Sequence, residues 1–226
     1  MKIKFLAQNC FLMEHRGKHI LTDPFYNFSK EKTGFSIANQ KIDYILLTHA
    51  HGDHIADVEE VLENHPEAVV ISTPEICGYY KSAKSIDYNI GGTVKIDDLK
   101  ITMLRADHTS SFPDGTYGGV PVGYLFRFDE KALYMAGDTG VFSEMELLEP
   151  LFGNITAAIL PVGGHYTMCA RQAAFAAKNL IKTKKVIGCH FDTFPPITID
   201  HEWAEKQFSE KEIELVLPEW GEEFEI

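Results

Sequence analysis

Apolar residues along the chain fall into short dense runs that alternate with longer periodic stretches. The strand-like runs are KHILTD (18–23), IDYILLTH (42–49), AVVIST (68–73), LKITMLRADH (99–108), GYLFRF (123–128), ALYMAGD (132–138), ITAAILPV (155–162), KVIGCH (185–190) and IELVLPE (213–219). Helical spacing appears in IADVEEVLENH (55–65), SEMELLEPLF (143–152), ARQAAFAAKNLIK (170–182) and IDHEWAEKQFSEKE (199–212). In the first of these, Ile55, Val58, Val61 and Leu62 recur along one helix face while acids take the other. Strands that alternate with helices predict an α/β chain whose sheets are covered by helices.

Polar residues are not scattered over this pattern. Asp23, His49, His108, Asp138 and His190 each end an apolar run, and His165 follows ITAAILPV by only two glycines, Gly163 and Gly164. In α/β sheets the C-terminal edge is where functional loops gather on a rigid scaffold. The placement therefore predicts one functional edge.

The stretch LLTHAHGDHIAD (46–57) concentrates the chemistry, with His49, His51, Asp53 and His54 inside six positions. Imidazole nitrogen and carboxylate oxygen suit divalent metals of intermediate softness. His49 and His51 are two apart, so on a helix they would diverge by about 200°. They can chelate together only from an extended or turning backbone, which the preceding strand delivers, and Gly52 is expected to permit an unusual turn there. Asp53 and His54 then enter a helix, so this one segment can serve two metals. A plain polar loop with Asp53 as a helix cap gives no account of three histidines after a buried strand.

Composition narrows the partners. The net charge of −12, from 33 acids against 21 bases, repels phosphate backbones, so no nucleic acid partner is expected. No apolar run approaches the ~20 residues of a membrane span. The N-terminal apolar stretch is too interrupted for a signal peptide, so a cytoplasmic protein with no membrane partner is expected. Cys10, Cys77, Cys169 and Cys189 form no C-x-x-C pair and read as inert thiols, with Cys189 notable only for its neighbour His190. The length of 226 residues is read as a single domain, 1–226.

The motif H-x-H-x-D-H after an apolar strand resembles the metallo-β-lactamase superfamily, and the resemblance covers nearly the whole chain. Asp23 in LTDPF, His108 in RADHTSS, Asp138 in MAGDTG and His190 in IGCHFDTFP match its ordered landmarks. PVGGHYTM (161–168) and CHFDTFPP (189–196) are similar to the subgroup of metal-dependent hydrolases around ascorbate-6-phosphate lactonase. The chain departs from that pattern at Ala50, where glycine is frequent, and at Asp192, where Asn or Gly is expected.

The resemblance implies a four-layer αββα sandwich of two mixed sheets flanked by helices. It implies two divalent metal ions, zinc first, with Mn, Ni and Fe also suited. One would be held by His49, His51 and His108, the other by Asp53, His54 and His190, with Asp138 bridging. Asp53, Asp138 and His165 carry the catalytic expectation. His165 is read as binding substrate or transferring a proton, with metal ligation and packing as alternatives. Asp23 is expected to hold the metal loop by hydrogen bonds. His15, His19, His65 and His201 fall outside the strand-end pattern and read as surface or packing residues.

The implied reaction is hydrolysis of a small-molecule lactone, ester, amide or phosphoester by a hydroxide held between the metals. The alternative on the same scaffold is a mononuclear iron oxidoreductase of the persulfide dioxygenase kind. Residues 25–40 and 109–122 are expected to form loops around the substrate. Lys30 and Lys32 favour an anionic substrate, against an equally good reading as solvated loop charges. A homo-oligomer is the general expectation for a soluble enzyme.

Overall fold

The apolar runs resolve into fourteen strands arranged as two seven-stranded sheets in the computed structural model, which describes residues 1–226. In chain order the strands are β1 (Lys2–Ala7), β2 (Cys10–His15), β3 (Lys18–Thr22), β4 (Tyr44–Leu46), β5 (Val69–Ser72), β6 (Lys84–Asp87), β7 (Thr93–Ile96), β8 (Leu99–Arg105), β9 (Val122–Phe128), β10 (Lys131–Met135), β11 (Ala157–Pro161), β12 (Lys185–Cys189), β13 (Glu214–Val216) and β14 (Glu223–Glu225). The chain divides into two compact units. The first is Met1–Asn89 with Thr109–Pro121 and Glu219–Glu225, and the second is Ile90–His108 with Val122–Pro218 and Ile226.

In the first unit the sheet order is β14-β1-β2-β3-β4-β5-β6. Pairing is antiparallel from β14 to β3 and parallel from β3 to β6. The second unit repeats this plan in the order β7-β8-β9-β10-β11-β12-β13, antiparallel as far as β10 and parallel beyond it. Each parallel step needs a crossover, and short helices supply them. In the first unit Val58–Asn64 and Pro74–Tyr79 do this, and in the second Leu148–Phe152, Ala170–Ala176 and His201–Ser209. Two mixed sheets flanked by helices is the fold class that the alternation and the resemblance predicted.

Strand direction decides where loops emerge. In the first unit β1, β3, β4 and β5 run the same way, so the residues after their C-terminal ends share one edge. In the second unit the same holds for β8, β10, β11 and β12. These are the edges that carry Asp23 and His49 in one unit, and His108, Asp138, His165 and His190 in the other.

Each sheet is anchored by its own apolar cluster. Leu21, Ile45, Leu47 and Val70 of the first sheet pack with Val58, Val61 and Ile76 from its helices. In the second unit Ala158, Leu160 and Val186 pack against Ala170, Ala173, Ala174 and Ala177, all essentially inaccessible. The run of small side chains lets that helix lie close to the sheet, and the Cβ atoms still bury apolar area.

Several elements differ from the sequence expectation. The helix expected over 55–65 is two pieces, Gly52–Ile55 and Val58–Asn64. Asp57 separates them: its carboxylate accepts from the backbone and side-chain N–H of Asn27, and its own N–H donates to the Pro24 carbonyl. The stretch 143–152 begins as a 3-10 turn, Ser143–Leu147, and 170–182 ends in a π turn, Ala177–Ile181, closed by Lys182 in the left-handed region. Strands β1, β2, β6, β7 and β14 lie outside the expected runs. No helix is long and apolar enough to cross a membrane.

Candidate metal centre

In the first unit the strand β4 ends at Leu46, the chain bends at Thr48, and His51 is extended, with φ and ψ of −68° and 150°. An extended or turning backbone is what lets residues two apart chelate together, as the spacing required. His49 Nε2 and His51 Nδ1 lie 3.0 Å apart, close to the separation of two nitrogens each ~2.0–2.1 Å from one ion. Their other nitrogens are backed by hydroxyls, with Thr48 Oγ1 3.0 Å from His49 Nδ1 and Thr109 Oγ1 3.5 Å from His51 Nε2. A ring nitrogen held by an oxygen is how a protein fixes which nitrogen faces a metal.

Gly52 does not make the unusual turn that the sequence suggested. It opens the short helix Gly52–Ile55 with negative φ, and a methyl group added there would meet only Pro113 Cγ, at 3.8 Å. The helical turn carries Asp53 and His54, and the His54 ring packs against the His49 ring with centroids 4.1 Å apart. His54 Nε2 lies 3.6 Å from Asp53 Oδ2, and His54 Nδ1 lies 2.8 Å from Asp23 Oδ2.

Asp23 is wholly buried and gathers four groups. Thr48 donates through its N–H (2.8 Å) and its hydroxyl (2.6 Å), Asn9 donates through Nδ2 (2.8 Å), and His54 Nδ1 completes the set. It holds φ at +36°, a region costly for a residue with a side chain. Its carboxylate thus ties the end of β3 to the start of the histidine segment.

The second unit places three candidates around one carboxylate. Asp138 Oδ2 lies 3.1 Å from His190 Nε2 and 3.6 Å from His108 Nε2. Asp138 and His190 are buried, and His108 is partly exposed. Thr139 stabilises both approaches to this point: its Oγ1 accepts from the Asp107 N–H at 2.9 Å, and its carbonyl accepts from the Met168 N–H. His190 is at φ +53°, and its backbone passes close to Gly163. A Cβ at Gly163 would sit 2.1 Å from the His190 carbonyl oxygen, so only glycine admits that close passage. Gly163 makes room for the His190 backbone, and Gly164, at φ +69°, faces Cys169.

His165 stands apart from this cluster. It is exposed, at φ +56°, in the turn that follows Gly164, with its ring edge-on to Tyr166 at 4.5 Å. The histidines outside the strand-end pattern have structural partners. His19 lies against Asp43, His65 Nε2 against the Ile37 carbonyl and His201 Nε2 against Asp192, while His15 is buried at the end of β2. Cys189 is buried beneath His190.

The expected loops are partly ordered. Residues 25–40 contain Tyr26–Phe28, Lys30–Thr33 and Ile37–Asn39 as short helical turns. Lys32 is committed to Glu219 and to the face of Trp220. Burial pushes the Asp57 carboxyl up, and the Asn27 N–H bonds that anchor this loop only partly offset it. The 109–121 segment folds against the histidine strand: Ala50 N–H donates to Ser110 Oγ, which donates to the Gly118 carbonyl.

Two residues at this edge had no signal in the sequence. Gln8 Nε2 donates to Asp53 Oδ2 at 2.8 Å, and Asn9 donates to Asp23. A carboxamide pair between two strands looks like ordinary turn chemistry. Only the direction of β1, parallel to β3 and β4, brings it to the functional edge.

A family model described as a beta-lactamase superfamily domain matches residues 18–191. The chain is 43% identical to a UPF0173 metal-dependent hydrolase of Flavobacterium johnsoniae over the full length of both. Among solved structures it is similar to Igni18, a metallo hydrolase of Ignicoccus hospitalis, at 35% identity and a TM-score of 0.87, covering 100% of this chain and 98% of that one. The metallo-β-lactamase fold protein YhfI of Bacillus subtilis, at 15% identity and a TM-score of 0.78 over 99% and 98% of the two chains, shares the fold. The chain belongs to the UPF0173 metal-dependent hydrolases of the metallo-β-lactamase superfamily.

Proposed function

We propose that the donors of the two units act together, over residues 1–226 as one catalytic domain, to hold two divalent metal ions, zinc first among them. His49, His51 and His108 hold one ion, Asp53, His54 and His190 hold the other, and Asp138 bridges them. The reaction is hydrolysis of a small-molecule lactone, ester, amide or phosphoester.

The observation that carries this reading is the position of one atom. Asp138 Oδ2 lies 3.6 Å from His108 Nε2 and 3.1 Å from His190 Nε2, the two histidines that the resemblance assigns to different ions. A carboxylate within reach of ligands of both ions is what a bridge requires. The donor set fits as well, because imidazole with carboxylate suits zinc, manganese, nickel and iron alike. Bound in such a pair, divalent ions lower the pKa of a shared water and polarise the oxygen of the electrophile.

The chain's own groups do the rest. Asp23 and Thr48 hold the Nδ1 atoms of His54 and His49, which would leave each Nε2 for its own ion. Asp138 fixes His108 and His190 in register with each other. His165, exposed on its turn, binds substrate or carries a proton to the leaving group. Lys30 is the remaining basic group of the 25–40 loop with a claim on an anionic substrate, since Lys32 is engaged by Glu219.

The test is a panel of lactones, esters, amides and phosphoesters offered to protein reconstituted with zinc, manganese, nickel or iron, with oxygen uptake followed in parallel. Hydrolysis of at least one class without oxygen consumption supports the reading. Oxygen uptake by the iron form, with no hydrolysis by any form, would replace it with the mononuclear iron oxidoreductase.

A further inference from the structure

The turn between β1 and β2 carries two consecutive carboxamides, Gln8 and Asn9, both wholly inaccessible to solvent. Each donates to a different carboxylate of the edge. Gln8 Nε2 reaches Asp53 Oδ2 at 2.8 Å, and Asn9 Nδ2 reaches Asp23 Oδ2 at 2.8 Å. Between those carboxylates sits His54, 2.8 Å from Asp23 and 3.6 Å from Asp53.

Two features set this turn apart from a connection that serves only the fold. Its backbone is not one of them, because Gln8 at φ +53° matches Arg16, Asp97 and Asp129 in the other hairpin turns. The oxygen of each amide, Gln8 Oε1 and Asn9 Oδ1, is buried without a hydrogen-bond partner. A buried acceptor left unmatched is costly, and a turn selected for stability alone would not keep two side by side. Both amides present N–H groups to the carboxylates at that cost. The second feature is positional. The two sheets share one plan, and β1 occupies in the first sheet the place that β8 occupies in the second. The residue delivered past the end of β8 is His108, and those delivered past β1 are Gln8 and Asn9.

The residue type also matters. A lysine or arginine here would neutralise the carboxylate and compete with a cation for it. An apolar side chain would leave the carboxylate plane undefined. A carboxamide donates one N–H, adds no charge and fixes orientation.

We propose that the Gln8–Asn9 turn is a positioning element of the metal centre, with Gln8 fixing the Asp53 carboxylate for its ion and Asn9 fixing Asp23 and, through it, His54. This rests on the ligand assignment made under the proposed function. The test measures zinc affinity by chelator competition and the melting temperature of metal-stripped protein, for wild type, Gln8→Leu, Gln8→His and Asp53→Asn. Gln8→Leu should weaken one of two zinc ions by about 10–100-fold and leave the melting temperature of stripped protein close to wild type. Gln8→His, which restores an N–H donor, should recover most of that affinity. Should Gln8→Leu fail to fold, Gln8→Ser, too short to reach Asp53, takes its place in the same assay. Unchanged zinc affinity with a lowered melting temperature would make Gln8 a structural residue and overturn the proposal. If Asp53→Asn also leaves zinc affinity unchanged, the ligand assignment itself fails. If Asp53→Asn weakens zinc and Gln8→Leu does not, the positioning role alone is lost.

Discussion

His54 Nδ1 lies 2.8 Å from Asp23 Oδ2, with both side chains wholly buried. The contact joins the end of β3 to the helical turn after β4, and under the proposed assignment it would leave Nε2 of His54 for the ion. Asp23 simultaneously accepts from Thr48 and Asn9. Asp23→Asn replaces an oxygen that accepts with a nitrogen that donates, and it leaves buried donors facing one another. We expect a stability loss of about 3 kcal/mol and about 10–100-fold weaker metal binding. Denaturant unfolding of stripped protein and chelator competition measure the two effects separately. A variant that unfolds like wild type and binds metal equally would leave Asp23 with no role at the metal edge.

Gly163 tests how closely the metal edge is packed. A methyl there meets the His190 carbonyl oxygen at 2.1 Å, whereas at Gly140 the nearest atom is Asp107 O at 4.0 Å. Gly163→Ala should therefore cost about 2–3 kcal/mol or more and displace His190, lowering metal content. Gly140→Ala should stay within about 0.5 kcal/mol of wild type. Equal behaviour of the two variants in thermal unfolding would contradict so close a passage at Gly163.

Asp43 provides a pH test away from the metal edge. Its Oδ2 accepts from the His19 N–H at 2.8 Å and lies 3.2 Å from Lys41 Nζ. Partial burial pushes its carboxyl up, but the His19 N–H and Lys41 outweigh burial and leave it below the usual carboxylate range. A carboxyl depressed in the fold stabilises it above the unfolded value of ~3.9, and that stabilisation is lost as pH falls through the folded value. Asp43→Asn should cost about 1 kcal/mol near pH 7, and the difference from wild type should shrink as pH drops below about 4. Urea midpoints at the two pH values check this, and a difference independent of pH would contradict it.

The thiols should be silent with one exception. Burial pushes the Cys77 thiol up to about 11 and raises Cys10 well above the usual range, and Cys189 is buried, while Cys169 is partly exposed. Because the thiolate is the reactive form, a disulfide reagent near pH 8 should modify Cys169 alone in native protein and all four cysteines after unfolding. Rapid modification of a second thiol in native protein would contradict the burial of the other three.

Much of this is readable in the residues. The H-x-H-x-D-H segment and the strand-ending Asp23, His108, Asp138 and His190 declare themselves because metal-capable side chains at the ends of apolar strands are a strong pattern. What escapes is set by tertiary structure. Gln8 and Asn9 carry no metal-ligand chemistry and gain meaning only from the direction of β1. Strands β6 and β7, KSID and TVKI, lie at sheet edges with mostly accessible residues, so they lack an apolar run. The break at Asp57 comes from Asn27 and Pro24, some 30 residues earlier in the chain. Gly52 suggested an unusual turn and sits instead in an ordinary helical one, whereas Gly163 is indispensable because of a carbonyl 27 residues away.

Whether the chain holds two metal ions bridged by Asp138 is decided by elemental analysis. Protein is stripped with chelator, saturated with zinc and freed of excess, for wild type, Asp138→Ala and His190→Ala. The expected result is two ions per chain in wild type, loss of at least one in His190→Ala, and loss or severe weakening of both in Asp138→Ala. One ion per chain in saturated wild type, with His190→Ala and Asp138→Ala binding the same amount, would contradict the bridged pair.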